Sequence, residues 1–88
     1  MFHVYFLLLS NSDIYKGITD NLKRRYSEHS NGKVKSTKNF RPLELIGYEA
    51  YVLKSDAMRR EKFLKTTGGR KLLRLQYKNI IEKYKTTV

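Results

Sequence analysis

The chain contains no cysteine, one proline and only eight acidic residues among 88. Without cysteine there is no disulfide and no thiolate metal site, which is compatible with a cytoplasmic location. No apolar run approaches the ~20 residues that span a bilayer, so no membrane association is expected. The longest such run, 4–9, reads as a buried strand. Its flanks lack the basic start and small-residue cleavage site of a secretory signal. Internal repeats, low-complexity tracts and linkers are also missing, so 1–88 reads as a single domain with a modest core. The few acids matter most for chemistry. Asp13 falls in a turn, Asp20 and Asp56 suit helix caps, Glu44 and Glu49 fall on a strand, and Glu28 and Glu82 lie among basic residues. No cluster of acids emerges to hold two metal ions.

The basic side of the balance is large. Nineteen Lys and Arg leave a net charge of +11. A charge of that size favours a polyanionic partner such as nucleic acid, or an anionic membrane, against a basic surface kept only for solubility; of these, nucleic acid without a membrane is the expectation.

Hydrophobic patterning gives the elements. Residues 3–9 read as a central strand, 10–13 as a turn and 14–18 as a second strand, together an antiparallel hairpin. Thr19 or Asp20 caps a helix over 21–30, with Leu22 and Tyr26 toward the core and Arg25 and His29 on an adjacent face. Asn31-Gly32 closes it with a left-handed C-cap. An exposed basic loop covers 33–41, and a third strand covers 43–52. Ser55 or Asp56 caps a helix over 57–65, which Gly68-Gly69 breaks. A last helix over 70–84 turns Leu72, Leu73, Leu75, Ile80 and Ile81 inward.

Four residue types stand out against this scaffold. Glu61 shares a helical stripe with Ala57 and Leu64, and an inward carboxylate must be paired or bind a metal. It is either a ligand for Mg²⁺, which commonly takes one or two carboxylates, or the partner of an arginine such as Arg25. Tyr5 and Tyr15 lie on adjacent strands, where tyrosine usually packs. As a base, a phenol with a reference pKa of ~10 would need a cation nearby, such as Arg25, Lys16 or a metal ion. Arg25 is either a phosphate clamp or a solvated surface residue. His29 is either a phosphate donor or proton carrier, or a partly exposed helix histidine.

The order and spacing of several stretches resemble the GIY-YIG nuclease superfamily. They are Val4-Tyr5-Phe6-Leu7, Tyr15-Lys16-Gly17-Ile18-Thr19, Asn21-Leu22-Lys23-Arg24-Arg25 with His29 and Gly32, Lys35-Ser36-Thr37, and Arg60-Glu61-Lys62 with Leu64-Lys65. The resemblance covers nearly the whole chain. It is strongest to the small single-domain bacterial branch related to the N-terminal nuclease domain of the bacterial excinuclease. Two departures leave the tyrosines intact: His3-Val4-Tyr5 lacks the leading glycine, and Lys16 replaces an isoleucine. Lys65 or a nearby threonine lies where many members carry a late asparagine.

The resemblance implies an α/β (α+β) fold, a three-stranded antiparallel sheet packed with about three helices. It implies a metal-dependent endonuclease acting on nucleic acid, DNA favoured over RNA, as a monomer or weak homodimer. In that reading Tyr5 is the general base, Tyr15 positions water or phosphate, Arg25 stabilises the scissile phosphate and His29 assists. Glu61 binds one Mg²⁺ or Mn²⁺. Lys16, Lys33, Lys35, Lys38, Arg41 and Lys65 are the candidate nucleic-acid contacts. The alternatives are a basic nucleic-acid-binding module with a slow or inactive site and, further off, a structural component of a ribonucleoprotein.

Overall fold

The apolar run near the start forms β1 (Phe2–Leu8), and its lack of alternation has a simple cause: both of its faces are covered. In the computed structural model, which describes residues 1–86, β1 is the middle strand of three. The domain expected over 1–88 therefore has its last two residues outside those described. β2 (Ile14–Thr19) flanks β1 on one side and β3 (Glu44–Tyr51) on the other, both antiparallel. The helices are α1 (Leu22–Ser30), α2 (Lys54–Leu64), α3 (Thr67–Gln76) and α4 (Lys78–Thr86), with a short 3-10 turn at Lys38–Phe40. Among the described residues, no helix is long and apolar enough to cross a membrane.

The two faces of β1 feed two cores. Val4, Phe6 and Leu8 pack with Ile14, Ala57, Leu64, Leu73 and Ile81 beneath α2, α3 and α4. Tyr5 and Leu7 pack with Leu43 and with Tyr15, Leu22 and Tyr26 beneath α1. The expected α+β fold, with its three-stranded antiparallel sheet, is thus observed, and four helices cover it where about three were expected.

Several local expectations are corrected. The cap of α1 is Asn21, whose side chain accepts a hydrogen bond from the Arg24 N–H at 3.0 Å. Thr19 instead turns its hydroxyl onto Asn21, and Asp20 makes an exposed ion pair with Arg24. The C-terminal signal is as expected: Gly32 has φ +73°, and the Gly32 and Lys33 N–H groups return to His29 and Glu28. The loop over 33–41 is not uniformly exposed, because Val34 and Thr37 are buried. Helix α2 starts at Lys54 after Leu53, which supplies no side-chain cap. Ser55 and Asp56 lie inside its first turn, where the negative charge of Asp56 suits the helix dipole.

The glycine pair does not break a helix. Thr66 does so by capping α3, accepting from the Gly69 N–H at 3.1 Å. Gly69 permits close packing: a Cβ there would lie 2.1 Å from the Phe63 carbonyl oxygen and 2.7 Å from the Leu64 Cα. The expected single last helix is two helices, separated at Tyr77. The inward row is Leu73, Tyr77 and Ile81, four apart; Leu72 beside it and Leu75 on the opposite side of the helix are exposed.

The two adjacent glycines should respond with opposite signs. Gly69→Ala forces backbone apart and should destabilise by about 1–3 kcal/mol. Gly68, with nothing within 4 Å of its added Cβ, should tolerate alanine and gain up to about 1 kcal/mol. Urea midpoints of the two variants decide this, and equal shifts would contradict the packing role of Gly69.

Candidate active site

Tyr5 is central to the site because the sheet places it there. It stands on the middle strand opposite Gly17 of β2, and its ring lies across that glycine. A Cβ on residue 17 would fall 2.3 Å from the Tyr5 hydroxyl oxygen, so only glycine lets the phenol reach over the edge strand. Tyr15 lies beside it, with ring centroids 6.3 Å apart. His29 stands edge-on to both rings, at 5.6 Å from Tyr5 and 5.1 Å from Tyr15. Residues 25 and 29 are one turn apart on α1, so both side chains arrive at the same hydroxyl.

The hydrogen bonds form a chain. Arg25 Nε donates to the Tyr5 oxygen at 3.3 Å. Tyr5 Oη and His29 Nε2 are 2.8 Å apart, and His29 Nδ1 and Thr37 Oγ1 are 2.7 Å apart. Arg25 can only donate, which leaves the phenol proton to be accepted by His29 Nε2. The imidazole proton then resides on Nδ1 and is donated to Thr37. Thr37 is completely buried, as is His29. The threonine hydroxyl can accept that proton, so it is compatible with the tautomer that leaves Nε2 free to accept.

Electrostatics reinforce these roles. Burial, aided by the Arg25 charge, lowers the His29 pKa from 6.5 to about 4, so the ring is neutral at neutral pH. Burial raises the Tyr5 pKa above 10.0, although the Arg25 hydrogen bond opposes this. The phenol thus keeps its proton, and can take one from water only as its own passes to His29. The hydrogen bond to Tyr5 raises the Arg25 pKa and keeps the guanidinium charged. Its Nη1 also contacts Glu28 Oε1 at 3.1 Å. Both ring nitrogens of the buried His29 are engaged, by Tyr5 and Thr37, so of its expected roles proton carriage through Tyr5 fits the geometry better than a direct bond to phosphate.

Glu61 is half-turned inward, with its side chain 22% exposed. It pairs with Lys65 Nζ at 3.0 Å, one helical turn on, and not with Arg25. Its charge reaches Tyr5, adding to the rise of that pKa. The cleft beside Arg25, about 460 Å³, and the one beside Glu61, about 770 Å³, are both lined by Ile18 and Lys54. Arg25 and Glu61 therefore open onto one region, at the outer edge of β2.

No group of three His, Cys, Asp or Glu suited to a metal occurs among the described residues. The donor set offers a single carboxylate, which suits an ion that keeps its waters and takes substrate oxygens. Glu49 is also half-buried, but it is locked by both Arg60 nitrogens at 3.0 and 3.2 Å and by the Tyr51 hydroxyl. Glu61 has one lysine partner whose side chain is 53% exposed. Of these two acids, Glu61 is the one able to change partners.

The other expected residues divide. Lys65 joins the site through Glu61. Lys33, Lys35 and Lys38 are exposed on the loop, whereas the Arg41 guanidinium donates to the Lys38 and Ser30 carbonyls. Lys16 points to the other face of β2, away from Tyr15 and Gly17. Thr37 is a site residue that the sequence does not single out; its one signal is membership of the Lys35-Ser36-Thr37 stretch. Gly17 stands in the second tyrosine stretch, but its steric purpose emerges only from the fold.

His29 predicts a pH dependence of stability. Its folded pKa, about 4, lies below the ordinary 6.5. The unfolded chain therefore takes up that proton first. The stabilisation is full above 6.5 and is lost as pH falls through the interval to about 4. His29→Gln cannot titrate, so its urea midpoint should fall less steeply over that interval than the parent's. Parallel curves would contradict a buried neutral imidazole.

The profile of the GIY-YIG catalytic domain matches residues 1–74. A UPF0213 protein of Staphylococcus haemolyticus is 36% identical over 74 residues, covering 83% of this chain and 90% of that protein. One from Natronomonas pharaonis is 38% identical over 74 residues, covering 83% and 87%. The solution structure of a UPF0213 protein from Bacillus halodurans is 31% identical, with a TM-score of 0.53, and the match covers 83% of this chain and 82% of that one. With its tyrosine hairpin, its arginine helix and this shared fold, the chain belongs to the GIY-YIG catalytic-domain family.

Proposed function

We propose that this chain is a metal-dependent endonuclease that hydrolyses phosphodiester bonds in nucleic acid, DNA in preference to RNA. It would act as one cytoplasmic domain, a monomer or weak homodimer. The observation that supports this most is the chain Arg25–Tyr5–His29–Thr37. These bonds satisfy a buried hydroxyl in any case, but they also give a proton a route from Tyr5 to His29, which a reaction uses and binding does not.

The chemistry follows from the groups. A water attacks phosphorus and a P–O bond breaks. The proton of the water moves to Tyr5 as the Tyr5 proton moves to His29, so no free phenolate is required. The Arg25 guanidinium faces the negative charge that grows on the phosphoryl oxygens. Tyr15, beside Tyr5 and His29, orients water or phosphate. Glu61 would hold one Mg²⁺ or Mn²⁺, which supplies positive charge to the phosphoryl and leaving oxygens when bound. The leaving oxygen takes its proton from solvent. One observation favours the alternative of a binding module with a silent site: the Glu61–Lys65 pair occupies the carboxylate that the ion would need.

Single-turnover cleavage and filter binding separate the two readings. Tyr5→Phe keeps the ring and should lower turnover by about 10²–10⁴-fold with little change in affinity. Glu61→Gln should abolish cleavage and leave binding largely intact. Arg25→Ala should weaken binding modestly and turnover severely, because only the transition-state share of its interaction appears as lost rate. Lys23→Ala, an exposed neighbour, serves as control. If the parent cleaves neither DNA nor RNA with Mg²⁺ or Mn²⁺, or if Tyr5→Phe cleaves like the parent, the binding module is the better reading.

A further inference from the structure

A second cluster of charge lies on the face of β2 that Tyr5 does not use. Lys16 of β2 and Arg70 and Arg74 of α3 line a cleft of about 240 Å³ with Asp13, Ile14 and Leu73. Arg70 and Arg74 are one turn apart and therefore share a helix face. The single acid is held elsewhere: Asp13 Oδ2 accepts from Asn11 Nδ2 at 3.3 Å. Arg74 donates to the Ser12 carbonyl at 3.1 Å. Lys16 and Arg70 make no ion pair among the described residues. Burial first, then the charge of Arg70, pushes the Lys16 pKa down; Lys65 and Arg74 add to this and the charge of Asp13 opposes it. Like charges are thus held together by a strand and a helix with one acid against three cations, an arrangement that an anion would relieve.

We infer that this cleft seats backbone phosphates of the nucleic acid that flank the scissile one, in a contact independent of sequence. The inference rests on the nucleic-acid reading above and deepens it. Three features commit it to the phosphodiester backbone. Its cations belong to two rigid elements, so their spacing is fixed. Its other lining side chains are Ile14 and Leu73, which offer no aromatic ring on which a base could stack. Its position adjoins the active face across the edge strand, because Tyr15 and Lys16 are consecutive residues that project to opposite sides of β2. A backbone passing over the edge of β2 meets Arg25 and Tyr5 on one side and Lys16, Arg70 and Arg74 on the other. The cleft thereby makes β2 the line the substrate crosses.

Fluorescence anisotropy with a labelled DNA duplex, across a salt series without divalent metal, tests this. For the parent, log affinity falls linearly with log salt. Lys16→Gln and Arg70→Gln should each flatten that line by roughly 0.9, the value of one duplex phosphate contact. Their thermal midpoints should stay level or rise, because like-charge repulsion is removed. Lys71→Gln, an exposed cation on the same helix outside the cleft, should flatten it clearly less. Arg74 is left unaltered because it also holds the Ser12 carbonyl. An unchanged slope in the Lys16→Gln/Arg70→Gln double variant overturns the site, as does equal flattening by Lys71→Gln. Unchanged oligonucleotide binding with lost binding to phosphatidylglycerol vesicles overturns it in favour of a membrane contact. If the double variant flattens the slope and the parent never cleaves, the endonuclease reading falls and the phosphate seat stands. If the parent cleaves and the slope is unchanged, the reverse holds.

Discussion

A phenol hydroxyl at the centre of a buried strand must be given partners by the rest of the fold. Leaving such a group unpaired costs about 1–3 kcal/mol, a large share of what a small domain has to spare. Tyr5 is 1% exposed, and its hydroxyl is satisfied from two sides, by Arg25 and by His29. Much of the local architecture follows from that need. Helix α1 must lie where residues 25 and 29 both face β1. The loop after it must fold back so that Thr37 meets the far nitrogen of the ring. Gly17 must lack a side chain so that the phenol can cross the edge strand. On the proposed function, α1, which satisfies the hydroxyl, and β2, which makes room for it, also carry Arg25, His29 and Tyr15, so structural and functional demands would meet at one atom.

This coincidence explains which parts of the fold could be read from residue order. Local signals were sufficient for the strands, because an unalternating apolar run means a covered central strand, and for α1, whose Asn31-Gly32 stop is chemically specific. Tyr5, Tyr15, Arg25 and Glu61 were visible because motif spacing encodes them. Thr37 was hidden: a threonine in a basic loop has no local signature, and its burial depends on where His29 points. Gly68-Gly69 misled for a related reason. Glycine reads as a breaker when only the chain is considered, whereas Gly69 answers to the backbone of a neighbouring helix 2.1 Å from its absent Cβ. At the division of the last helix, Tyr77 packs against Phe6 of β1, with ring centroids 5.5 Å apart, a contact that residue order alone does not show. Leu75 reads differently: it lies two residues from Leu73, nearly half a helical turn around, and helical periodicity alone places it outside.

The distribution of charge has a comparable logic. Asp20, Glu28, Glu49, Asp56 and Glu61 each pair with an Arg or Lys. Exposed pairs of this kind contribute little stability, with typical values of about 0–1 kcal/mol. Their more evident effect is on placement. They neutralise cations around α1 and α2, while Lys16 and Arg70 have no carboxylate partner among the described residues. The net charge of +11 is therefore not spread evenly in its effect. An unneutralised part of it gathers beside the edge of β2, next to the region onto which Arg25 and Glu61 both open.

Glu61 and Lys65 connect the charge pattern to the proposed chemistry. Their pair gives a half-buried carboxylate the counter-charge that an inward charge needs. To hold an ion, Glu61 would share its carboxylate with Lys65 or exchange it; the lysine engages Oε1 and is half-exposed. An ammonium released at this point lies beside the path of a polyanionic backbone and can pair with phosphate. A substrate phosphate would offer Lys65 a second partner, and Glu61 would then be the residue to hold a cation. On the proposed function, the ion pair holds the carboxylate in place and keeps the lysine within reach of phosphate.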